Sequence, residues 1–252
     1  MKAVDVHITT CNEQDILPYT LRHYKTYASR IFVHDNFSKD RTREIAVENG
    51  ATVLDWPAGA EVDEWPLINN KNACWRGTDA DFVAIVDADE LLYFPLGAEA
   101  TLEVYAAARF PVIKPYGYEM TSEAYPTTAG QIYGEVKFGA RDDRWYAKPI
   151  LFAPQLITDT GIGVGSHSAR TVCRDGRIIE VNEQYPMTIP PCYLLHFHQI
   201  GPLERIAKVY DDKRARMCEN NRRNRWGNHD DGMKHATDKR NYIKARLERV
   251  IP

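Results

Sequence analysis

Four consecutive residues carry the densest chemistry in the chain: Asp87-Ala88-Asp89-Glu90 follows directly on the apolar run Phe82-Val83-Ala84-Ile85-Val86. Uncompensated carboxylates are costly at the end of a buried strand, and the usual compensation is a hard divalent cation that also bridges substrate phosphate oxygens. Alternate residues along an extended turn bring Asp87 and Asp89 to one ion, while the small Ala88 leaves room for a nucleotide. Glu90 adjoins that ion and suits orienting a ligand or capping a turn. An acidic strand-to-loop turn that caps the next helix is the other use such residues have.

The elements that must position this cluster alternate regularly. Val4 to Thr10 reads as a short apolar strand, and Glu13 to Tyr27 places Ile16, Leu17, Leu21 and Tyr24 at helical spacing. Ile31 to His34 reads as a strand and Lys39 to Asn49 as a helix closed by Gly50 at a left-handed C-cap. Ser38 fits that helix's N-cap, with Asp40 in the first turn. Ala51 to Trp56 is the next strand, Pro66 to Thr78 a helix, and Asp81 to Val86 the most apolar strand. This order predicts an α/β fold with a mostly parallel sheet flanked by helices and right-handed crossovers. Ligands of such sheets bind beyond the carboxyl ends of the strands, which marks Thr9 to Glu13, Asp35 to Asp40 and Asp87 to Glu90.

From Phe110 onward Gly and Pro recur every few residues. Phe110 to Met120 and Lys148 to Phe152 read as strands, and Arg174-Asp175-Gly176-Arg177 as a hairpin turn. This irregular α+β half is expected to supply a lid and an acceptor cleft. Pro202 to Asn221 returns to helical spacing, followed by a polar Asn/Arg/Trp segment and a basic last helix near Thr237 to Arg249. Lys213, Arg214, Arg216, Arg222, Arg223 and Arg225 with Trp226 suit an anionic membrane, a charged acceptor or a diphosphate; a solvated helix face is the alternative.

A chain of 252 residues that is 44% hydrophobic and 11% aromatic can bury a substantial core, which excludes disorder. A net charge of −3 argues against a nucleic-acid partner held through phosphates. Five cysteines without a CxxC pair suggest neither a disulfide framework nor a zinc ribbon, so a reduced, cytoplasmic setting is expected. No run approaches the roughly 20 apolar residues of a membrane span, so any membrane contact is expected to be peripheral.

Three ordered motifs in the first 90 residues resemble the family 2-type glycosyltransferases of GT-A fold. Val6-His7-Ile8-Thr9-Thr10-Cys11-Asn12-Glu13 resembles the family's first strand with its Asn-Glu turn. Ile31-Phe32-Val33-His34-Asp35-Asn36-Phe37-Ser38-Lys39-Asp40-Arg41-Thr42 resembles the second strand with its Asp-Asn-x-Ser-x-Asp-x-Thr signature, and Asp87-Ala88-Asp89 stands at the family's DxD metal motif. The resemblance implies a single GT-A domain over 1–252, with 1–95 binding a nucleotide-diphosphate sugar, UDP-linked for preference, and 96–252 forming the acceptor side. It places Thr9, Thr10 and Asp35 at the nucleotide, with Asp35 accepting from a base edge such as uracil N3, and Lys71 and Asp87 near the diphosphate. It also implies Mn²⁺ or Mg²⁺ on Asp87, Asp89 and a late histidine. His196 is that histidine, because His196-Phe197 followed by Gly201-Pro202 resembles the His-Phe-x-Gly segment of glycogenin-like enzymes; His198 and His167 are reserves.

Gly117-Tyr118-Glu119-Met120, Tyr125-Pro126, Gly165-Ser166-His167 and Leu194-Leu195-His196-Phe197-His198 resemble a surface-polysaccharide branch, which implies a glycan or lipid-linked acceptor. Inverting transfer needs a general base to take the acceptor's proton. Glu119, Glu123, Asp142, Asp143 and Asp159 are candidates, with Glu119 preferred because it ends a strand expected beside the metal motif. Nucleotidyl transfer to a sugar phosphate is the rival chemistry, although Thr9 to Glu13 lacks its Gly-rich loop. A nucleotide-sugar-binding module without catalysis and a phosphohydrolase acting through Asp87 are further alternatives.

Overall fold

The computed structural model describes residues 2–56, 61–227 and 231–252. Its first half runs β1 (Val4–Thr10), α1 (Leu17–Tyr24), β2 (Arg30–Asp35), α2 (Thr42–Glu48), β3 (Thr52–Asp55), α3 (Glu64–Ala73) and β4 (Phe82–Asp87). β5 (Glu90–Tyr93), α4 (Ala98–Ala107), β6 (Val112–Ile113), β7 (Tyr116–Ser122), β8 (Phe138–Arg141) and β9 (Leu151–Phe152) follow. The chain continues through β10 (Ile157–Asp159), β11 (Ala169–Cys173), β12 (Ile178–Val181) and β13 (Tyr193–Ile200). It ends with α5 (Leu203–Ala215), α6 (Glu219–Asn224), α7 (Gly232–Lys244) and β14 (Glu248–Arg249).

The main sheet has the order β3-β2-β1-β4-β9-β6, with the first four strands parallel and β9 and β6 antiparallel to their neighbours. The α/β class with a mostly parallel sheet is thus observed. Val4, Val6 and Ile8 of β1 turn one way into a core with Leu17, Leu21 and Tyr24 of α1. β4 is buried on both faces, Ala84 and Val86 on the α1 side and Val83 and Ile85 against Trp75 and Phe152. That two-sided burial is why its sequence is a continuous apolar run instead of an alternation. The chain leaves β1 first toward β2 and later toward β4, so the switch point lies between the ends of β1 and β4. There Thr9 stands in register with Asp87.

The second sheet, β14-β8-β7-β13-β5, stands against this edge, and a small sheet β10-β11-β12 completes the fold. β5 leaves the acidic turn directly and pairs with β13, putting Glu90 in register with His196. β7 pairs with β13 from the other side, with Glu119 in register with His196.

Several boundaries differ from expectation for local reasons. Asp40 takes the Thr42 N–H at 2.9 Å, so α2 starts at Thr42 and Ser38 is not its N-cap. Asp63 accepts from the Trp65 N–H at 3.0 Å and starts α3 earlier than Pro66, while the chain turns through Gly77 at positive φ before Thr78. Phe110 to Met120 is two strands in different sheets, because Pro115 lacks the N–H a ladder needs. The expected helix from Pro202 to Asn221 breaks at Arg216 to Cys218, and Asp231 caps the last helix at Gly232 instead of Thr237. The polar segment between α6 and α7 runs partly outside the described residues. Among the described residues no helix is long and apolar enough to cross a membrane.

Candidate active site

A cavity of about 270 Å³ opens at the switch point. Its floor is Thr9, Thr10, Asp87, Ala88 and Asp89 from the ends of β1 and β4, and Asn36 and Trp56 close the β2 side. α5 and the start of α6 form the opposite wall, held there because Val62 donates to the Arg216 carbonyl at 2.8 Å and accepts from Cys218 N–H at 3.1 Å. Of the basic segment, Lys213 and Arg216 line the cavity. Arg214 and Arg223 are spent on Asp211 and Glu219, and Arg222 on backbone carbonyls.

The two carboxylates of the DxD sequence face different partners. Asp87 accepts from the Thr9 hydroxyl at 2.6 Å and from Lys71 Nζ at 2.8 Å, with Lys148 Nζ at 3.6 Å from its other oxygen. Burial works to raise its pKa, but the two ammonium groups outweigh that and hold it well below the usual carboxylate range. The Lys71 side chain is 3% exposed and also reaches Ser166 at 3.2 Å. Lys148 is likewise buried and bonded to the wholly buried Glu90, whose other oxygen accepts the Asp87 N–H at 2.9 Å. Glu90 thus orients the turn, as one of its two expected uses.

Asp89 instead faces histidines. Its Oδ2 lies 3.1 Å from His198 Nδ1 and 3.6 Å from His196 Nε2, and one donor atom each from Asp89, His196 and His198 falls within 4.8 Å of the others. Positions 196 and 198 share a strand face, and Phe197 between them donates its N–H to the Asp89 carbonyl at 2.8 Å, locking the turn to β13. Burial pushes Asp89 upward, but His196 and His198 more than reverse it and hold it ionised. The structure therefore brings together Asp89, His196 and His198, while Asp87 is turned to the lysines. His167 is not part of this group and stands edge-on to Trp145.

Glu119 is 2% exposed and accepts from His196 Nδ1 at 2.9 Å. The bond leaves His196 Nε2 pointing to Asp89, the carboxylate–imidazole arrangement that orients histidine ligands of metals. Burial on its own lowers the His196 imidazolium, but Glu119 and Asp89 raise it to about 9. Tyr146 stacks on the same ring with centroids 5.0 Å apart. It can do so because Gly117 has no side chain: a Cβ there would sit 2.2 Å from the Tyr146 carbonyl carbon. Glu119 is thus enclosed behind His196 and has no face toward an acceptor. The other candidate bases also lie elsewhere, Glu123 on Arg240 and Lys244, Asp142 on Tyr242, Asp143 on Arg141 and Asp159 on Arg76.

Asp35 is wholly buried at the end of β2, and donors already surround it: Ser38 N–H and hydroxyl, Thr10 at 3.3 Å and Arg43 at 3.1 Å. It shapes the loop, and its neighbour Asn36 meets the cavity in its place. Glu13 lines the cavity with its pKa raised to about 7, first by burial and then by Asp89 and Asp87, against the pull of Lys213 and Arg205. The Asn-Glu turn placed it at the strand end, but its titration depends on the distant Asp89 and Lys213. Lys148 had a signal, a lysine inside the apolar stretch Ala147 to Phe152.

The sequence pattern described as glycosyl transferase family 2 matches residues 5–170. The chain is similar to 4,4'-diaponeurosporenoate glycosyltransferase of Staphylococcus haemolyticus, 32% identical over 123 residues, which is 46% of this chain and 32% of that protein. It is also similar to a TPR repeat-containing protein of Synechococcus elongatus, 28% identical over 134 residues, 52% of this chain and 30% of the other. It thus spans about a third of the length of these relatives. A solved structure of glucosyl-3-phosphoglycerate synthase from Mycobacterium tuberculosis with Mn²⁺, UDP and glucosyl-3-phosphoglycerate is similar at 16% identity and a TM-score of 0.35, covering 48% of this chain and 44% of that one. That likeness is too slight to bear on any residue here. The match over residues 5–170 is decisive: this chain belongs to glycosyl transferase family 2.

Proposed function

We propose that this chain is a metal-dependent glycosyltransferase that moves a sugar from a nucleotide-diphosphate donor to an acceptor hydroxyl with inversion. The observation that supports it most is the convergence of Asp89, His196 and His198 beside a cavity at the sheet's switch point. Mixed carboxylate and imidazole donors suit Mn²⁺. The buried His198 Nε2 has no hydrogen-bond partner, which leaves this ring a nitrogen free to ligate. The charges also fit. With Lys71 and Lys148 balancing Asp87 and Glu90, the cluster retains the carboxylates of Asp89 and Glu119 to set against a divalent ion.

Asp89, His196 and His198 would hold the ion, with Glu119 keeping His196 in the ligating tautomer. When bound, the ion neutralises charge on the departing diphosphate. Thr10, Asn36 and Trp56 offer the base and ribose a polar floor and an aromatic edge, with UDP the nucleotide expected from the family resemblance. Lys213 and Arg216 reach the cavity from α5 and meet the phosphates as they take up negative charge. Glu13 is the carboxylate placed to accept the acceptor's proton, since it lines the cavity with Asp89 and Lys213 and burial raises its pKa toward neutrality. The acceptor oxygen bonds to the anomeric carbon as the carbon–diphosphate bond breaks, and the hydroxyl proton passes to Glu13. A glycan or lipid-linked hydroxyl in surface-polysaccharide assembly is the acceptor class that the second half's resemblance favours.

The test is release of nucleoside diphosphate from a panel of nucleotide-sugars with Mn²⁺ and simple acceptors, with the product anomer read by NMR. Turnover lost in His198→Ala and an inverted anomer support the reading. Full turnover in that variant, or retention of configuration, overturns it.

A further inference from the structure

Away from the cavity, on the opposite face of β1 from Val6 and Ile8, three further ligand-type side chains meet under the C-terminal end of α3. His7 of β1 and His34 of β2 bring their rings together, Nδ1 of one 2.9 Å from Nε2 of the other, and both are buried. Cys74, which ends α3, completes a set in which one donor atom from each residue lies within 4.8 Å of the others. A single proton shared between two imidazoles satisfies one nitrogen of each ring. His7 Nε2, on the far side of the ring from that shared position, is buried without a hydrogen-bond partner and takes no part in the set. Asp5, the nearest acid on the same strand face, is committed to Arg30 and the Thr78 hydroxyl.

We infer that His7, His34 and Cys74 form a second metal site, for a thiolate- and imidazole-seeking divalent ion such as Zn²⁺, which clamps the end of α3 to the sheet. Two imidazole nitrogens on one tetrahedral Zn²⁺ stand about 3.3 Å apart, so the observed pair needs to part by only about 0.4 Å. The Cys74 sulfur already lies within 4.8 Å of the imidazole donors, and as the C-cap of α3 it sits at an element's end where a small closing movement disturbs least. Burial depresses both imidazolium groups to about 4, so the rings are neutral and need lose no charge to ligate. The thiol, pushed up to about 12 by burial, gives up its proton to solvent as the metal–sulfur bond forms. Two imidazoles and a thiolate select zinc over the harder ions that a carboxylate-containing site takes. The site is coupled to the cavity by position, because Lys71, three residues before Cys74, is the residue that holds Asp87.

Cobalt(II) is the probe, titrated into reduced, metal-free full-length protein. A thiolate-to-cobalt charge-transfer band saturating at one equivalent is expected, with the band lost in Cys74→Ser and affinity lowered at least tenfold in His34→Gln. Cys11 lines the active cavity with the proposed catalytic ligands, so Cys11→Ser must keep the band. Asp89→Asn must keep it too, which separates this site from the proposed catalytic ion. Zn²⁺ should raise the melting temperature of the Asp89→Asn protein and leave that of the Asp89→Asn/Cys74→Ser protein unchanged. No thiolate band in the parent chain, a band that survives Cys74→Ser, or a band lost in Cys11→Ser or Asp89→Asn overturns the inference.

Discussion

Glutamine in place of Glu119 tests whether this residue acts through His196 or on substrate. In the metal-free protein the His196 imidazolium has its pKa near 9, because Glu119 at 2.9 Å and Asp89 at 3.6 Å outweigh burial. A metal must displace that proton. At pH 7 the two-unit gap weakens binding by about 100-fold, about 2.7 kcal/mol, relative to the deprotonated ring. Mn²⁺ affinity should therefore rise about tenfold per pH unit from 7 and level off above 9. The sign is opposite for the metal-free fold, since a raised histidine pKa stabilises below the unfolded value of about 6.5 and that contribution is lost as pH climbs through 9. In Glu119→Gln the imidazolium loses its main partner, so the pH slope of Mn²⁺ affinity should flatten between 7 and 9. Above pH 9, with the proton gone in both proteins, the variant should bind about 10–100-fold more weakly for want of an oriented ring. Calorimetric titration of Mn²⁺ at several pH values reads both effects. A pH-independent affinity in the parent protein, or an unchanged slope in the variant, would refute the reasoning.

Other perturbations follow from the same contacts. Lys71→Met removes a buried cation from Asp87 and should cost ~1–3 kcal/mol by denaturant unfolding, less than for a fully buried pair because Asp87 keeps Lys148 and some solvent. Its donor KM should rise as Asp87 loses its fixed position. Measured with Mn²⁺ saturating at every pH, Glu13→Gln should remove the limb of kcat/KM that rises with pH near neutrality, leaving a low, flat profile; an unaltered limb assigns the base elsewhere. Tyr24→Phe deletes a hydroxyl that accepts from Leu92 N–H at 3.0 Å and donates to the Glu90 carbonyl at 2.9 Å, and should lower stability by ~1–3 kcal/mol without changing the Mn²⁺ pH slope.

The first half was legible because its signals are local. β1 was read to its exact ends from the alternation of Val4, Val6 and Ile8, and β2 and β4 to within a residue or so, since burial writes Val, Ile and Phe into neighbouring positions there. Helix starts were less readable. Asp40 and Ser38 are both good capping types, and only the loop's path shows that Ser38 serves Asp35 and Asp40 serves Thr42. The site's components were found as residue types, while their pairings were not. Asp87 and Asp89 look equivalent in sequence, and they separate because Lys71 and Lys148 come from α3 and from the stretch before β9, while the two histidines come from β13. Glu119 was expected to end a strand, but it stands in the middle of β7, where its register with His196 turns it to a ring. Glu13 was passed over because an exposed-looking turn acquires its burial from α5, 200 residues away.

The central claim is that Asp89, His196 and His198 hold the ion on which donor binding depends. Calorimetric titration of UDP into the full chain, with and without Mn²⁺, in the parent protein and in Asp89→Asn, tests it most directly. UDP should bind the parent only when Mn²⁺ is present and should fail to bind Asp89→Asn under the same conditions. Binding that ignores Mn²⁺, or that survives Asp89→Asn undiminished, would contradict the account.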